Sequence, residues 1–546
     1  MIIDDFYSGI NSKEKEKNGI DKSSFYLGMV TQVQRNSVTL QVENLSLISH
    51  REIRSESLIP NTINYYVVIE SITGLFFGEV YKTRIANSDN VHLANKEKTW
   101  PEIEVEILAV MKNGGDKFDL AGSLTVGLMD KVYIANRKIM DKFLESINAN
   151  NKTEEKCLSS FATLASNGKE VTFMPSTLFD KHLMIIGATN SGKSTSALSI
   201  LDKLINENIR VLIIDPTGEY KNSFSDDKVE KLELGINTKI SSGQLSMQNW
   251  NEIFNVNNGT QPATLSAAIE SLRYQKKKKQ ASCYKKVDKT LSKVENDLAK
   301  VKDEKEFDID LLAEQVVQES VKASFGKYVM DDNKLGYNLY LVQKIKYTLK
   351  NTSFKNFFSS LSDAENDLID EMEKFVKGKI SNLYIDASSI EVTDGTGGAI
   401  IDLISQQLIK FEKESIKPFV MFIDEIHRYT KNSFSEDLNF YNGLTSIARE
   451  GRKKGIFLFL TTQNPNDVDK VLLGQVGTLL IHRLTQYDEI NAIQNHLNNY
   501  RVSQVKKLST GEAILTSVNL LSDLDLKINK CGREHDSETP SLWTES

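Results

Sequence analysis

Cysteine is scarce in this chain: three in 546 residues, at Cys157, Cys283 and Cys531. They lie far apart, are odd in number and match no zinc-ligand spacing. That excludes a disulfide framework and fits a reducing compartment. Long apolar runs are absent as well. Nothing approaches the roughly 20 residues a helix needs to cross a bilayer, so no spanning helix and no membrane partner is expected. The first residues, MIIDDFYSGINSKEKEK, have no basic region leading into an apolar one, so they do not read as a secretory signal. The expected location is cytoplasmic. An excess of positive charge is also lacking: 67 Lys and Arg face 74 Asp and Glu, a formal net charge of −7. This excludes a protein that coats nucleic acid over its whole surface, but a local basic channel stays open, because binding follows the local field. The seven histidines, His182 and His427 among them, show no metal-ligand pattern and read as ordinary structural residues. No internal repeat is visible.

What the chain does have is the composition of a soluble globular protein, 40% hydrophobic and 26% charged. Residues 1–128 read as a β domain. Residues 28–42 form two alternating runs around Arg35, Asn36 and Ser37, a hairpin pattern. Further strands fall at 65–69 and 75–80, broken at Thr73 and Gly74, and Ile103, Val105, Ile107 and Ala109 alternate strictly. Short strands with turns between them make a small barrel or a sandwich. Residues 129–160 read as a linker, most polar over 148–156.

From about residue 160 the rhythm changes. An apolar run at 182–186 leads into a glycine-containing loop, a helical segment from 193 to about 207, and a second apolar run at 211–214. This βαβ unit predicts a parallel sheet. Later buried-strand candidates are 383–385, 419–423, 456–461 and 478–481. Residues 261–380 interrupt the pattern and read as a polar helical insertion. Within it Val287, Leu291, Val294, Leu298 and Val301 recur at heptad spacing. So short a seam reads as an amphipathic helix packing on its own domain rather than as a coiled coil. The α/β core therefore comprises residues 161–260 and 381–530, and 531–546 form a polar tail.

The strongest chemical signal is Gly187-Ala188-Thr189-Asn190-Ser191-Gly192-Lys193-Ser194, which fits G-x-x-x-x-G-K-[ST]. Its glycines let backbone N–H groups close on phosphate oxygens, and the helix that follows, with Thr195 in its first turn, offers its positive end to the anion. Lys193 is placed to reach the β- and γ-phosphates of ATP, and Ser194 to give a hydroxyl to Mg²⁺. The second signal is an apolar strand, Phe419 to Ile423, that ends in Asp424 and Glu425. Paired buried carboxylates repel and are costly to desolvate, which points to work: Asp424 for the metal, Glu425 to polarise the attacking water. Gln463 closes a third strand, where its amide either contacts the γ-phosphate or water or caps the strand. Arg449 and Arg452 precede that strand. Guanidinium groups stabilise the charge of phosphoryl transfer, and a basic helix end also suits the helix dipole, so the pattern leaves both readings open.

These motifs, with Ile213-Ile214-Asp215-Pro216-Thr217-Gly218-Glu219-Tyr220, Ala448-Arg449-Glu450-Gly451-Arg452 and Thr462-Gln463-Asn464-Pro465, stand in the order seen in the HerA family, of the HerA/FtsK group of P-loop motors. The run Leu508-Ser509-Thr510-Gly511-Glu512-Ala513 looks like that family's late strand motif. The N-terminal β region is similar to its small HAS-barrel domain. The resemblance implies an α/β fold: a RecA-like P-loop core with an N-terminal barrel and a helical insertion. It implies ATP and Mg²⁺, a homo-hexamer, and translocation of double-stranded DNA. It implies that the strand ending at Gln463 lies between those ending at Gly187 and Asp424, with Gln463 beside the γ-phosphate. An arginine of the Arg449/Arg452 segment would reach a neighbouring subunit's nucleotide, and Asp215 and Glu219 would lie near the nucleotide or the subunit interface. One departure stands out: Asn190 occupies a position where the family usually has glycine. Asn is the residue that best tolerates positive φ after glycine.

Between Arg273 and Lys289 there are eight Lys/Arg and one acid, with Tyr274 and Tyr284 interleaved. Such a segment either tracks a phosphate backbone or forms a solvated helix face. Two functions are thus in view. One is an ATP-driven DNA translocase or helicase that works with a partner effector, a nuclease or a sirtuin-type NAD hydrolase, in end processing or antiviral defence. The other is a nucleotide-dependent ring scaffold that assembles and activates such an effector without processive translocation. A secretion or conjugation pump shares the core motifs but is disfavoured for want of a membrane anchor.

Overall fold

The computed structural model describes residues 3–534 apart from 8–21, 44, 54–55, 59–62, 87–99, 149–154, 225–227, 257–258, 302–303, 359–365, 392–393, 431–442 and 498. The chain divides into two compact units. One is Met1–Leu178 with Gln494–Ile528, the other Phe179–Ile493 with Asn529–Ser546.

In the first unit six strands close a barrel: β1 (Tyr26–Val33), β2 (Ser37–Val42), β3 (Tyr66–Ser71), β4 (Gly74–Ala86), β5 (Trp100–Lys112) and β6 (Lys131–Ile134). Their order is β1-β2-β5-β4-β3-β6, every neighbour antiparallel. Of the barrel and the sandwich, the chain forms the barrel. The alternation in β5 explains its walls. Ile103 and Val105 are buried inside, while Glu102 and Glu104 face Arg84 and Lys82 outside, each at 2.7 Å. Gly28 has a steric reason: a Cβ there would sit 2.1 Å from the Gln41 carbonyl oxygen. The closing strand β6 lies past residue 128, within the stretch read as linker. Four residues are too few to carry a periodic signal. After it comes α1 (Arg137–Ser146), capped by Asn136, whose side chain accepts from the Ile139 N–H at 3.0 Å. This helix stacks Phe143 on Phe77 of the barrel with centroids 4.1 Å apart. Burying a ring of that size is worth about 1.5–3 kcal/mol. Residues 149–154 of the linker lie outside the described residues.

The same unit holds a buried ionic knot. Arg501, 2% exposed, meets Glu79 of β4 at 3.0 Å, Asp525 at 2.5 Å and Asp523 at 3.7 Å. Burial pushes the Glu79 carboxyl up to about 7 against the pull of Arg501, with Asp525 adding to the rise.

The second unit is built on seven strands: β7 (Leu183–Ile186), β8 (Val211–Asp215), β9 (Glu230–Glu233), β10 (Leu383–Asp386), β11 (Phe419–Ile423), β12 (Ile456–Thr462) and β13 (Thr478–Ile481). Within this unit they run in the order β13-β7-β12-β11-β8-β10-β9, all parallel. Parallel strands covered on both faces read as unbroken apolar runs, and β7, β8, β11 and β13 are buried at every residue. As the resemblance implied, β12, which leads into Gln463, lies between β7 and β11. The sheet is the parallel α/β sheet of the RecA-like kind that the resemblance implied.

Between β9 and β10 lies the insertion, with helices α3 (Gln261–Lys277), α4 (Leu291–Leu298), α5 (Leu312–Gln318) and α6 (Asp332–Thr348). The heptad seam is not one helix: Val287 precedes α4, and Val301 lies in a following 3₁₀ turn. Val294 and Val301 are buried against Tyr274 and Tyr284, with Leu298 packed beside them. The seam therefore packs on its own domain. Of the expected tail, 535–546 lie outside the described residues. Arg533, however, is held in the core: it meets Asp202 at 3.0 Å and the Ser223 carbonyl at 3.1 Å, and lies over the Phe224 ring.

Candidate active site

Parallel strands point their C-terminal ends the same way, so the loops after β7, β11 and β12 converge. After β7, Gly187 donates its N–H to the Thr462 carbonyl at 3.2 Å, and Ala188 donates to the Arg483 carbonyl at 3.0 Å. A Cβ on Gly187 would collide with Ser191 Oγ at 2.5 Å and His482 Cβ at 2.7 Å, so the loop needs glycine there. Asn190 takes φ +60° and Gly192 φ +105°. The asparagine thus occupies the left-handed region that glycine serves elsewhere.

Helix α2 (Lys193–Asn206) opens directly on this loop and has no side-chain cap. Its first-turn N–H groups are left for an external anion. Ser191 is buried, and its Oγ has no hydrogen-bond partner among the described residues. Ser194 and Thr195 follow in the first turn, half-buried.

Lys193, 6% exposed, is ion-paired with Glu425. Gln463 donates from Nε2 to Glu425 Oε1 at 2.6 Å, and its own Oε1 accepts from Thr189 Oγ1 at 2.9 Å. The structure thus joins residues from all three loops, among them every sequence-predicted catalytic residue except the arginines. Two further residues were missed in the sequence. Thr461 donates from Oγ1 to Asp424 and accepts the Glu425 N–H at 2.9 Å. His427, read as ordinary, has Nδ1 3.2 Å from Glu425 Oε2. Strand adjacency was the available signal for Thr461. Nothing in the spacing marks His427.

The backbone at Glu425 sits at φ +47°, a conformation that costs a non-glycine residue about 1–2 kcal/mol. The Thr461 hydroxyl and the Thr461 carbonyl, which accepts Ile426 N–H at 2.9 Å, hold it there. The two neighbouring acids are driven apart. Burial pushes Asp424 up to about 7, and the Glu425 charge adds to the rise while Lys193 opposes it. Burial would raise Glu425 too, but His427, Lys193 and Gln463 hold it down at about 2. With nucleotide and metal absent, Glu425 is thus the acid that stays charged and Asp424 the one more readily protonated.

Asp215 is fully buried and accepts from Thr217 N–H and Oγ1, Gly218 N–H, Tyr220 N–H and Tyr384 OH, all within 2.8–3.1 Å. Its carboxylate shapes the turn after β8. Glu219, on that turn, is raised by burial and lies in the field of Asp215, Glu425 and Lys193.

Arg449 and Arg452 are not brought to this cluster. They lie before β12, whose seven residues span about 20 Å, and Arg452 donates to the Asp180 carbonyl at 3.3 Å, ahead of β7. Arg449 lies in a π-helical turn, Ile447–Gly451. The interleaved tyrosines of the basic segment are corrected: Tyr274 and Tyr284 are buried on each other, centroids 5.1 Å apart, because their rings fill the insertion's core. Lys286 is likewise buried, paired to Glu319 at 2.5 Å.

Among the described residues no group of three His, Cys, Asp or Glu could hold a metal. Mg²⁺ is commonly held by one or two protein oxygens plus substrate phosphates, and a site of that kind here would draw on the Ser194 hydroxyl and the Asp424 carboxylate.

Residues 161–407 match the family model described as helicase HerA, central domain, and residues 411–523 the one described as helicase HerA-like C-terminal. A probable helicase of Methanocaldococcus jannaschii is 22% identical over 476 residues, covering 83% of this chain and 82% of its own. The DNA double-strand break repair helicase HerA of Saccharolobus solfataricus is 23% identical over 344 residues, 62% of each chain. Among solved structures, VirB4 of Thermoanaerobacter pseudethanolicus aligns with a TM-score of 0.47 at 15% identity, over 68% of this chain and 96% of that one.

Proposed function

The chain belongs to the HerA family of ATPases, and from that premise we propose that it is a homo-hexameric motor that spends ATP to move double-stranded DNA. The observation that supports the ATP-hydrolysing part of this reading is the cluster of Lys193, Glu425 and Gln463 beside the uncapped start of α2, and the family supports the DNA part. ATP phosphates settle on the loop amides and the first turn, and Lys193 leaves Glu425 for the γ-phosphate. Glu425, released, and Gln463 then hold a water in line. The water oxygen bonds to the γ-phosphorus as the bond to the β–γ bridging oxygen breaks, and Glu425 takes the proton. Ser194 and Asp424 would hold Mg²⁺, which when bound neutralises charge on the phosphate oxygens. An arginine of the Arg449/Arg452 segment, at the far end of β12 from Gln463, serves the nucleotide of a neighbouring subunit. A head-to-tail ring allows this.

The motor's partner is a separate effector, a nuclease or a sirtuin-type NAD hydrolase, acting in antiviral defence in the cytoplasm. No effector motif is visible in the sequence, and no helix among the described residues is long and apolar enough to cross a membrane.

ATP hydrolysis followed by phosphate release is expected to rise severalfold with double-stranded DNA at low salt, where phosphate contacts are strongest. Hydrolysis indifferent to DNA would leave the ring scaffold instead. Light scattering with nucleotide present is expected to give a mass near that of a hexamer.

The arginines have their own test. Lys193→Ala and Arg449→Ala/Arg452→Ala subunits are each expected to be inactive alone and to regain turnover when mixed. In a mixed ring one subunit supplies an intact loop and its neighbour the guanidinium. Mixtures as inactive as their parts would remove the arginines' role in trans.

A further inference from the structure

Between α5 and α6 the insertion sends out a two-stranded hairpin, Val321–Ser324 paired with Lys327–Met330. Its turn is Phe325-Gly326, with φ +45° and +78°. Positive φ at both central positions of a two-residue hairpin turn is normally met by Asn-Gly or Gly-Gly. Phe325 takes the first of them and is fully exposed, so its ring gains nothing from packing and its backbone is strained. The turn is held to its neighbours, with Leu291 N–H donating to the Gly326 carbonyl, so the ring is presented on a fixed backbone, and a strained, unpacked aromatic residue at an exposed turn calls for a role outside the fold.

Helix α6 follows at once and repeats the theme. Tyr337, Tyr340 and Tyr347 are 72%, 54% and 65% exposed. They share one helical face with Lys344, whose Nζ lies 4.6 Å from the Tyr340 ring centroid and donates to the Asn255 carbonyl. The three rings are spread over about 15 Å of helix. Residues 321–350 contain six lysines and two acids, in a chain whose net charge is −7. Both acids stand at the start of α6, where Asp331 caps the Asn333 and Lys334 N–H groups and also meets Lys322 at 3.9 Å. The intervening 294–320 is acidic, with nine acids against three lysines, so the positive charge is concentrated rather than general.

We propose that the Phe325 hairpin and the Tyr337–Tyr340–Tyr347 face of α6 bind unpaired nucleotides of DNA, the rings stacking on bases and the lysines meeting phosphates. This rests on the motor reading and adds to it a contact for strands that are no longer paired. Exposed rings interleaved with lysine match the way unpaired strands are held. Duplex bases are already stacked and offer ring faces only at their ends. A protein partner suits the surface less, because protein interfaces are depleted in lysine.

The test compares binding of a fluorescent forked duplex with oligo-dT arms and a blunt duplex of equal paired length, using the full chain without hydrolysis. Phe325→Asn suits the turn better than phenylalanine, so its melting temperature is expected to equal or exceed that of the unmodified protein. It should weaken the fork by about tenfold and leave the blunt duplex essentially unchanged. Tyr340→Ala/Tyr347→Ala should show the same selectivity. Fork binding that is unchanged, or a loss equal on both DNAs, overturns the proposal. So does a change in assembly state with DNA binding intact, which would make the surface a contact between copies. If the unmodified protein binds neither DNA, the motor reading falls with it. If it binds both and the variants match it, only the hairpin's role falls.

Discussion

Glu425→Gln is expected to lower ATP turnover by about 10²–10⁴-fold, the usual contribution of a positioned proton acceptor, while nucleotide binding is kept. Glutamine preserves the shape and the hydrogen bond with Gln463 but cannot take a proton from water. It also ends the ion pair that occupies Lys193, so a non-hydrolysable ATP analogue should bind at least as tightly as to the parent. Lys193→Ala should lose turnover and binding together, since the loop would lose its only lysine for the phosphates. Phosphate release and calorimetric titration separate the two variants. Turnover by Glu425→Gln within tenfold of the parent would assign the proton to another group.

Arg501→Met is expected to destabilise the barrel-containing unit by about 3–5 kcal/mol, because removing one partner of a buried ion cluster strands the others. Glu79, Asp523 and Asp525 would face one another without their cation. For a unit of this size each kcal/mol shifts the melting temperature by about 2–4 °C, so the calorimetric transition of this unit should fall by about 10 °C. The pH dependence has a definite sign. Glu79 titrates near 7 in the fold against an ordinary 4.5, so the folded state holds that proton more tightly. The contribution is full below 4.5 and is lost as pH rises towards 7. Glu79→Gln should therefore flatten the stability profile across that window. An Arg501→Met protein that melts with its parent would show the cluster to be dispensable.

The parts legible in the sequence are those in which local pattern and chemistry coincide. The unbroken runs at β7, β8 and β11 have to be buried strands, and the glycine–lysine loop has to follow a strand and open a helix. Asn190 was legible as a tolerated substitute, and its φ of +60° bears that out. Features that depend on strand order or on distant contacts were not legible in local pattern, and the strand order came from the resemblance alone. Thr461 faces Asp424 only because β12 lies beside β11. His427 meets Glu425 at a turn where Glu425 takes a positive φ, which no residue type announces. The place of the interleaved tyrosines of the basic segment was left open for a related reason. Tyr274 and Tyr284 pair across a turn to make a core, while the rings left outside, Phe325 and the α6 tyrosines, sit where no basic run drew attention to them.

The position of Arg452, bound to the Asp180 carbonyl ahead of β7, has a consequence for kinetic order. If each nucleotide needs a guanidinium from next door, an isolated chain binds ATP but turns it over poorly. Specific activity then depends on protein concentration and collapses on dilution below the assembly threshold. Under that condition abundance itself would be the control: a cell that made little of this protein would hold it charged with nucleotide and silent, and a modest rise in its level would release activity out of proportion to the increase.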